Sequence, residues 1–473
     1  MHWPGITLGG FKVRTLVKNG QIVTAVDNYA ADILVVDGVI TQIARGIADP
    51  EAVVIDAAGR MVIPGGVDPH THLESFSGRT TTSDDFFSGT RAAAVGGTTT
   101  IIDFARQSKG EPLKHAYDTW QEKARQKACI DYGFHLIVVE MDETRFDEVP
   151  EIVDAGVVSV KMYMAYRGRL MVDDGTIFRT MLAFKDHGGL VALHAENGDV
   201  IDVLVKQAIA AGKVSPKYHA VTRPPITEAE AVFRAICIAE VAECPVYFVH
   251  LSSRQGLEQI QRARDRGLPV FAETCPHYLV LDDSLYEQPG FEGAKYVLTP
   301  PLRSLDHQEA LWMGVRSGDI AVISTDHCPY CFATQKILGQ DDFSKIPNGG
   351  PGIENRLSLI YHAGVHGGRI NDHQFVDLVA TQPAKIFGLF PRKGTIAIGS
   401  DGDLVIFNPN RELVISASTH LMNIDYNMYE GMKVCGTADE VLLRGTPIVR
   451  DGKFIGAAGA GQYLPRQRTR WRF

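Results

Sequence analysis

Pro64-Gly65-Gly66-Val67-Asp68-Pro69-His70-Thr71-His72-Leu73 follows directly on the apolar run Met61-Val62-Ile63. Side chains alternate between faces along an extended strand. His70 and His72, at i and i+2, therefore point to one side and can reach a common ion, while Thr71 points away. Neutral imidazole is the commonest metal ligand in proteins. Alone, the pair is equally compatible with two polar residues at a strand end, and the rest of the chain has to decide.

From residue 61 onward, apolar strand-like runs alternate with helical stretches. The runs are 61–72, 98–104, 132–138, 158–163, 190–194, 246–250, 270–274 and 320–326, with helices such as 228–244 and 253–266 between them. That alternation is the signature of a parallel sheet with covering helices. Eight such strands predict an α/β fold, a closed (β/α)8 TIM barrel. Long loops at 281–311 and 329–355 enlarge it.

The flanks read differently. Before residue 62 there are short β-rich runs, with Asn19-Gly20 and Asp37-Gly38 as hairpin turn pairs. After Gly394, β signals return at 402–407, 441–443 and 446–450, and Asp451-Gly452 supplies another turn. The expected organisation is a small β-sandwich formed by 1–62 and 395–455 around a barrel at 63–394. A tail at 456–473, Gly/Ala-rich and then basic and aromatic, reads either as an arm on a neighbouring surface such as another subunit or as a frayed terminus.

The totals exclude several function classes. The chain has 473 residues, 45% of them hydrophobic and 22% charged, with a net charge of -9. With no basic run, nucleic acid and anionic membranes are not expected partners. No apolar stretch approaches the roughly 20 residues of a membrane helix, and the start lacks a signal-peptide pattern. Seven scattered cysteines suit free thiols in a reducing compartment, so a cytoplasmic protein is expected.

In a TIM barrel, functional groups belong at the C-terminal ends of the strands. Those ends carry His70 and His72 (first), Lys161 (fourth), His194 (fifth), His250 (sixth) and Asp326 (eighth). Each closes an apolar run that it has no packing reason to close. An ammonium would repel metal ions, but a lysine carboxylated by CO2 is anionic and can bridge two of them. His70, His72 and Asp326 would then hold one ion, and His194 and His250 the other. Two ions about 3.5–4 Å apart sharing a hydroxide form a strong hydrolytic centre. The alternative is an unmodified Lys161 paired with Asp326, leaving a mononuclear site.

As a set, Gly65-Gly66-Val67-Asp68-Pro69-His70-Thr71-His72-Leu73, Val160-Lys161-Met162-Tyr163-Met164-Ala165-Tyr166, Leu193-His194-Ala195-Glu196, His250-Leu251-Ser252, Thr299-Pro300-Pro301-Leu302-Arg303 and Ser324-Thr325-Asp326-His327-Cys328-Pro329 resemble the amidohydrolase superfamily. They look most like its dihydropyrimidinases and hydantoinases, the cyclic-amide hydrolases, over essentially the whole chain. The resemblance implies two Zn2+ (Mn2+ or Co2+ being tolerated by the donors), a carboxylated Lys161 and a bridging hydroxide that attacks a ring amide. The products would be N-carbamoyl amino acids. Asp326 would carry the proton from the hydroxide to the leaving nitrogen, and Tyr166 would face the developing oxyanion. Thr299, a serine in many relatives, and Asn348 would meet the imide edge through backbone groups. Phe76, Tyr163 and Leu170 would face the exocyclic substituent. A homotetramer or homodimer is the implied assembly.

Dihydroorotase, allantoinase and a non-catalytic relative are the rivals. A dihydroorotase carries Arg just after the His-x-His, where this chain has Leu73-Glu74-Ser75, so an uncharged ring is expected, dihydrouracil, dihydrothymine or a 5-substituted hydantoin. Allantoinases lack the tyrosine found at Tyr166, and a non-catalytic relative would have lost rim ligands that are all present here. Cys328-Pro329-Tyr330-Cys331 copies a redox motif, but it follows a barrel strand, so an incidental spacing is the reading.

Overall fold

The computed structural model describes residues 13–469. They form seventeen strands: β1 Arg14–Val23, β2 Asn28–Val36, β3 Val39–Ala44, β4 Val53–Asp56, β5 Met61–Pro64, β6 Gly66–Thr71, β7 Thr98–Arg106, β8 Asp131–Ile137, β9 Ser159–Tyr163, β10 Leu190–His194, β11 Val246–Phe248, β12 Val270–Thr274, β13 Val322–Ile323, β14 Leu404–Val414, β15 Lys433–Leu443, β16 Thr446–Arg450 and β17 Lys453–Phe454. Strands β6 to β13 make one eight-stranded sheet in chain order, and its ladders are parallel. Burial explains the choice: β6, β8, β9 and β10 are buried at every position, as strands covered on both faces by helices must be. The helix Arg254–Asp265 is one such cover. Ser253 caps it by accepting from Gly256 N, and Leu257, Ile260 and Ala263 form its buried stripe. No helix among the described residues is long and apolar enough to cross a membrane.

The sheet closes into a barrel largely through side chains. Strand β13 spans two residues, and the only first-to-eighth-strand bridge among the described residues joins Thr71 to His327. The Asp68 carboxylate accepts from Thr325 N at 3.1 Å and Thr325 Oγ1 at 2.6 Å. Arg356 Nη1 donates to Val67 O (2.9 Å) on one side of the seam and Ile323 O (3.1 Å) on the other.

The flanking segments form a second sheet of nine strands in which β5 lies between β1 and β14, joining N- and C-terminal parts. The apolar run 61–72, expected as one barrel strand, is therefore two. Met61–Pro64 pairs with β14 in this sheet, and Gly66–Thr71 enters the barrel. The chain can cross between sheets because Gly65 has no side chain: a Cβ there would lie 2.1 Å from Thr99 Oγ1. Asp37-Gly38 and Asp451-Gly452 turn hairpins as expected. Asn19-Gly20 does not. It forms a bulge inside β1, where Asn19 N donates to Asp32 Oδ1 at 3.0 Å and a Cβ on Gly20 would strike Val62 Cγ2. The turn into β2 lies at 24–27, where Thr24 Oγ1 accepts from the amides of Val26 and Asp27.

The tail, as far as it is described, lies on the barrel of its own chain, while 470–473 lie outside the described residues. It crosses the N-terminal strand ends: Gly461 N donates to Ala128 O, Leu464 N to Tyr132 O and Thr469 N to Gly188 O. Leu464 enters the apolar barrel interior with Val67, Ala192 and Tyr247. Beside it Lys393 Nζ is buried among Asp131 (2.6 Å), Asp403 (2.7 Å) and Asp401 (2.9 Å). Burial opposes its charge, but the three carboxylates raise its pKa. This cluster ties barrel strand β8, the nine-stranded sheet and the tail together, since Gln462 N also donates to Asp131. Removing one partner from a buried ion cluster leaves charge uncompensated. Lys393→Met is therefore expected to destabilise the protein by roughly 3–5 kcal/mol, read as a lowered Tm; an unchanged Tm would show that the cluster holds nothing together.

Candidate metal and catalytic centre

The rim residues converge. His70 and His72 lie on one side of their strand with ring centroids 5.2 Å apart, and Thr71 turns away to donate to Asp103 Oδ2. His70 Nε2 is 2.9 Å from Lys161 Nζ and 3.1 Å from Asp326 Oδ1. His72 Nε2 is 3.3 Å from the same carboxylate oxygen. His194 Nδ1 faces His250 Nε2 at 3.0 Å, and the His250 and His70 rings are 5.4 Å apart. Donor atoms of His70, His72 and Asp326 all lie within 4.8 Å of one another. The other such group among the described residues, Asp131 with Asp401 and Asp403, already holds Lys393.

Electrostatics favour ligation. Burial pulls His72 down to about 4 and His194 and His250 below their usual range, so these imidazoles keep the lone pairs that a metal needs. Burial also disfavours the Asp326 carboxylate, yet charge and hydrogen bonds from His70 and His72 hold it well below the ordinary carboxylate range. His250 Nδ1 is buried with no hydrogen-bond partner. His250, Asp326 and Tyr166 adopt φ of 40°, 48° and 67°. Such left-handed backbone at non-glycine residues costs on the order of 1–3 kcal/mol each and gathers at functional sites.

A layer of carboxylates stands behind the imidazoles. Glu273 at the end of β12 meets His70 Nδ1, accepts from Tyr247 Oη at 2.8 Å and accepts from the His250 amide at 3.2 Å. Glu196 Oε2 lies 2.8 Å from His194 Nε2. The contact of Glu273 with Nδ1 of His70 turns Nε2 toward Lys161 and Asp326. Glu273 is absent from the rim residues that the sequence singles out, although it stands next to last in the run 270–274. Below His70, His135 bonds Pro69 O and Ser159. His327 bonds Asp84 at 2.9 Å.

These groups open onto a cavity of about 200 Å³ lined by His72, Lys161, His194, His250 and Asp326 together with Phe76, Tyr163, Tyr166, Leu170, Thr299 and Asn348. His70 sits behind this wall. Tyr166 and Leu170 pack on Phe104, Ile137 and Tyr163. Burial raises the Tyr166 hydroxyl, which hydrogen-bonds the side chains of Thr299 and Asn348. Phe76 is 54% exposed, at the mouth. The cavity also receives arginines from distant parts of the chain. Two of them, Arg106 and Arg169, donate to the carbonyls of Phe76 and Ser77 and so hold the loop after β6. Cys328 and Cys331 are free thiols. Burial pushes Cys328 up to about 12 and raises Cys331, opposite to the lowered pKa of a redox pair.

A model of the amidohydrolase family matches residues 61–448. The chain is 54% identical over 452 residues to a D-hydantoinase of Geobacillus stearothermophilus, covering 95% of this chain and 96% of the relative. Among solved structures, a crystal structure of a D-hydantoinase superposes with a TM-score of 0.96 at 54% identity, covering 96% of this chain and 99% of the other. A dihydropyrimidinase from Brevibacillus agri gives 0.95 at 50% identity, covering 97% and 99%.

The Glu273 contacts generate a test. Glu273→Gln keeps the shape but cannot hold the His70 tautomer as a carboxylate does, so affinity for a divalent ion should fall roughly 10–100-fold. Competition with a chelator measures it, and an affinity equal to that of the parent protein would remove Glu273 from the site.

Proposed function

The chain belongs to the amidohydrolase family, and on that premise we propose that it opens neutral cyclic amides by hydrolysis, 5,6-dihydropyrimidines or 5-substituted hydantoins, giving N-carbamoyl amino acids. One observation carries the reading: two histidine pairs, Lys161 and Asp326 converge on a buried cavity that also holds the Tyr166 hydroxyl. The similar proteins named D-hydantoinase favour hydantoins of the D series. The guanidinium groups of Arg106 and Arg169 are engaged by backbone carbonyls, which is consistent with an uncharged ring.

The donor set fits two divalent ions. His70, His72 and Asp326 would hold one, His194 and His250 the other, and a carboxylated Lys161 would serve both. The orphaned His250 Nδ1 and the lone pairs freed by burial support that fit. Nitrogen and oxygen donors of this kind suit Zn2+, with Mn2+ or Co2+ as substitutes. Bound there, the ions supply polarisation of the ring carbonyl and a water acidic enough to act as nucleophile near neutral pH. In the unmodified alternative Lys161 pairs with Asp326, but its nitrogen instead lies 2.9 Å from His70 Nε2.

The remaining steps belong to the chain. Asp326, kept ionised, accepts a proton from the attacking water and returns it to the leaving ring nitrogen. Tyr166, kept protonated by burial, donates to the oxygen on which charge develops. Backbone groups at Thr299 and Asn348 meet the imide edge, and Phe76, Tyr163 and Leu170 face the substituent.

Two experiments test this reading. On one metal-defined preparation, dihydrouracil and hydantoin should turn over faster than allantoin and dihydroorotate; the reverse order would move the protein to a rival activity, and a purified protein that holds no divalent metal would favour a binding protein. Lys161→Ala should lose activity and metal together, and a variant that kept two ions and full turnover would end the carbamate proposal.

A further inference from the structure

Lys336 is fully buried, yet it lies outside the cavity wall and the mechanism does not use it. Its Nζ donates to three backbone carbonyls: Val297 O at 2.7 Å, Pro347 O at 2.8 Å and Gly349 O at 2.6 Å. An ammonium has three donors, and all three are used. No carboxylate pairs with it among the described residues. Burial pulls its pKa down to about 7, so keeping a cation here is costly where an apolar side chain would not be. The three carbonyls show what it holds. Val297 stands two residues before Thr299, and Pro347 and Gly349 flank Asn348 on both sides. Gly349 N also donates to Val297 O at 3.0 Å. His219 fixes the next carbonyl, with Nε2 2.8 Å from Leu298 O and 3.2 Å from Thr299 Oγ1. The two stretches come from loops after different barrel strands, and one nitrogen sets the distance between them.

We propose that Lys336 is a positioning residue for the substrate ring: by clamping the 297–299 and 347–349 backbones to one ammonium, it sets the spacing of the Thr299 and Asn348 groups that meet the ring, and so sets ring affinity without touching the ring. The inference rests on the reading of Thr299 and Asn348 as ring-binding positions.

The test uses the full-length, metal-loaded Lys336→Met and Lys336→Gln variants, with KM and kcat on dihydrouracil and bound metal measured for each. A misplaced binding edge costs affinity, so KM should rise roughly tenfold to a hundredfold in Lys336→Met while kcat stays within about threefold and metal content is unchanged. Lys336→Gln, which keeps two donors, should fall between it and the parent. Unchanged KM in the folded variants, or a loss confined to kcat, overturns the proposal. So does failure of both variants to fold, because the ammonium would then serve the fold and not the ring. If the parent protein opens no ring, only the reaction reading fails, and dihydrouracil binding by calorimetry then reads the Lys336 effect directly.

Discussion

The seam between the first and eighth barrel strands is the constraint on which the rest depends. Asp326 belongs to one side of it, His70 and His72 to the other, and their donor atoms are a few ångströms apart because the seam closes. A two-residue strand cannot supply that closure by ladder hydrogen bonds alone. Asp68 and Arg356 supply it with charge-assisted bonds, about 1.5–3 kcal/mol each in typical cases. Asp68 lies two residues before His70 on the same strand, so one strand carries both the closing carboxylate and a rim histidine. Closing the barrel and bringing His70, His72 and Asp326 together are thus one event.

A second constraint is the protonation state of the imidazoles. Burial holds His72, His194 and His250 below the usual imidazole range, while the burial of His70 is outweighed by Asp326 and Glu273, which raise it; the carboxylates behind the rings fix how they are turned. Glu273 shows the economy of this layer, since one side chain meets His70, Tyr247 and the amide of His250. That last contact also helps fix His250 in its left-handed conformation. The strain at His250, Asp326 and Tyr166 is held by the surrounding hydrogen bonds, for example those that Arg169 N and Leu170 N make to Tyr166 O.

What could be read from the sequence follows the range of the forces involved. Strands β7 to β10 and β12 lie within one or two residues of their apolar runs, because strands buried on both faces carry their signal locally. The rim residues were legible for the related reason that each ends such a run. Asn19-Gly20 misled because turn chemistry is local, whereas the bulge is fixed by Val62 and Asp32. The split at Gly65 depends on Thr99, and the short eighth strand on Asp68, 257 residues from Thr325. Arg356 and Lys336 lie outside any strand pattern and act on carbonyls 289 and 39 residues away. No periodicity marks residues whose partners are backbone atoms in other loops.

The two ends of the barrel divide the work. The N-terminal mouth is filled by Leu464 and held by the Lys393 cluster, which binds β8, the second sheet and the tail through buried charge. The C-terminal mouth carries the strained backbone, the orphaned imidazole nitrogen and loops clamped to single side chains such as Lys336. Strain at one end persists only if the rest of the fold over-determines it. The bottom cluster and the seam meet that demand from outside the cavity. Substitutions in the loops that line the cavity can then retune its surface without touching what closes the barrel.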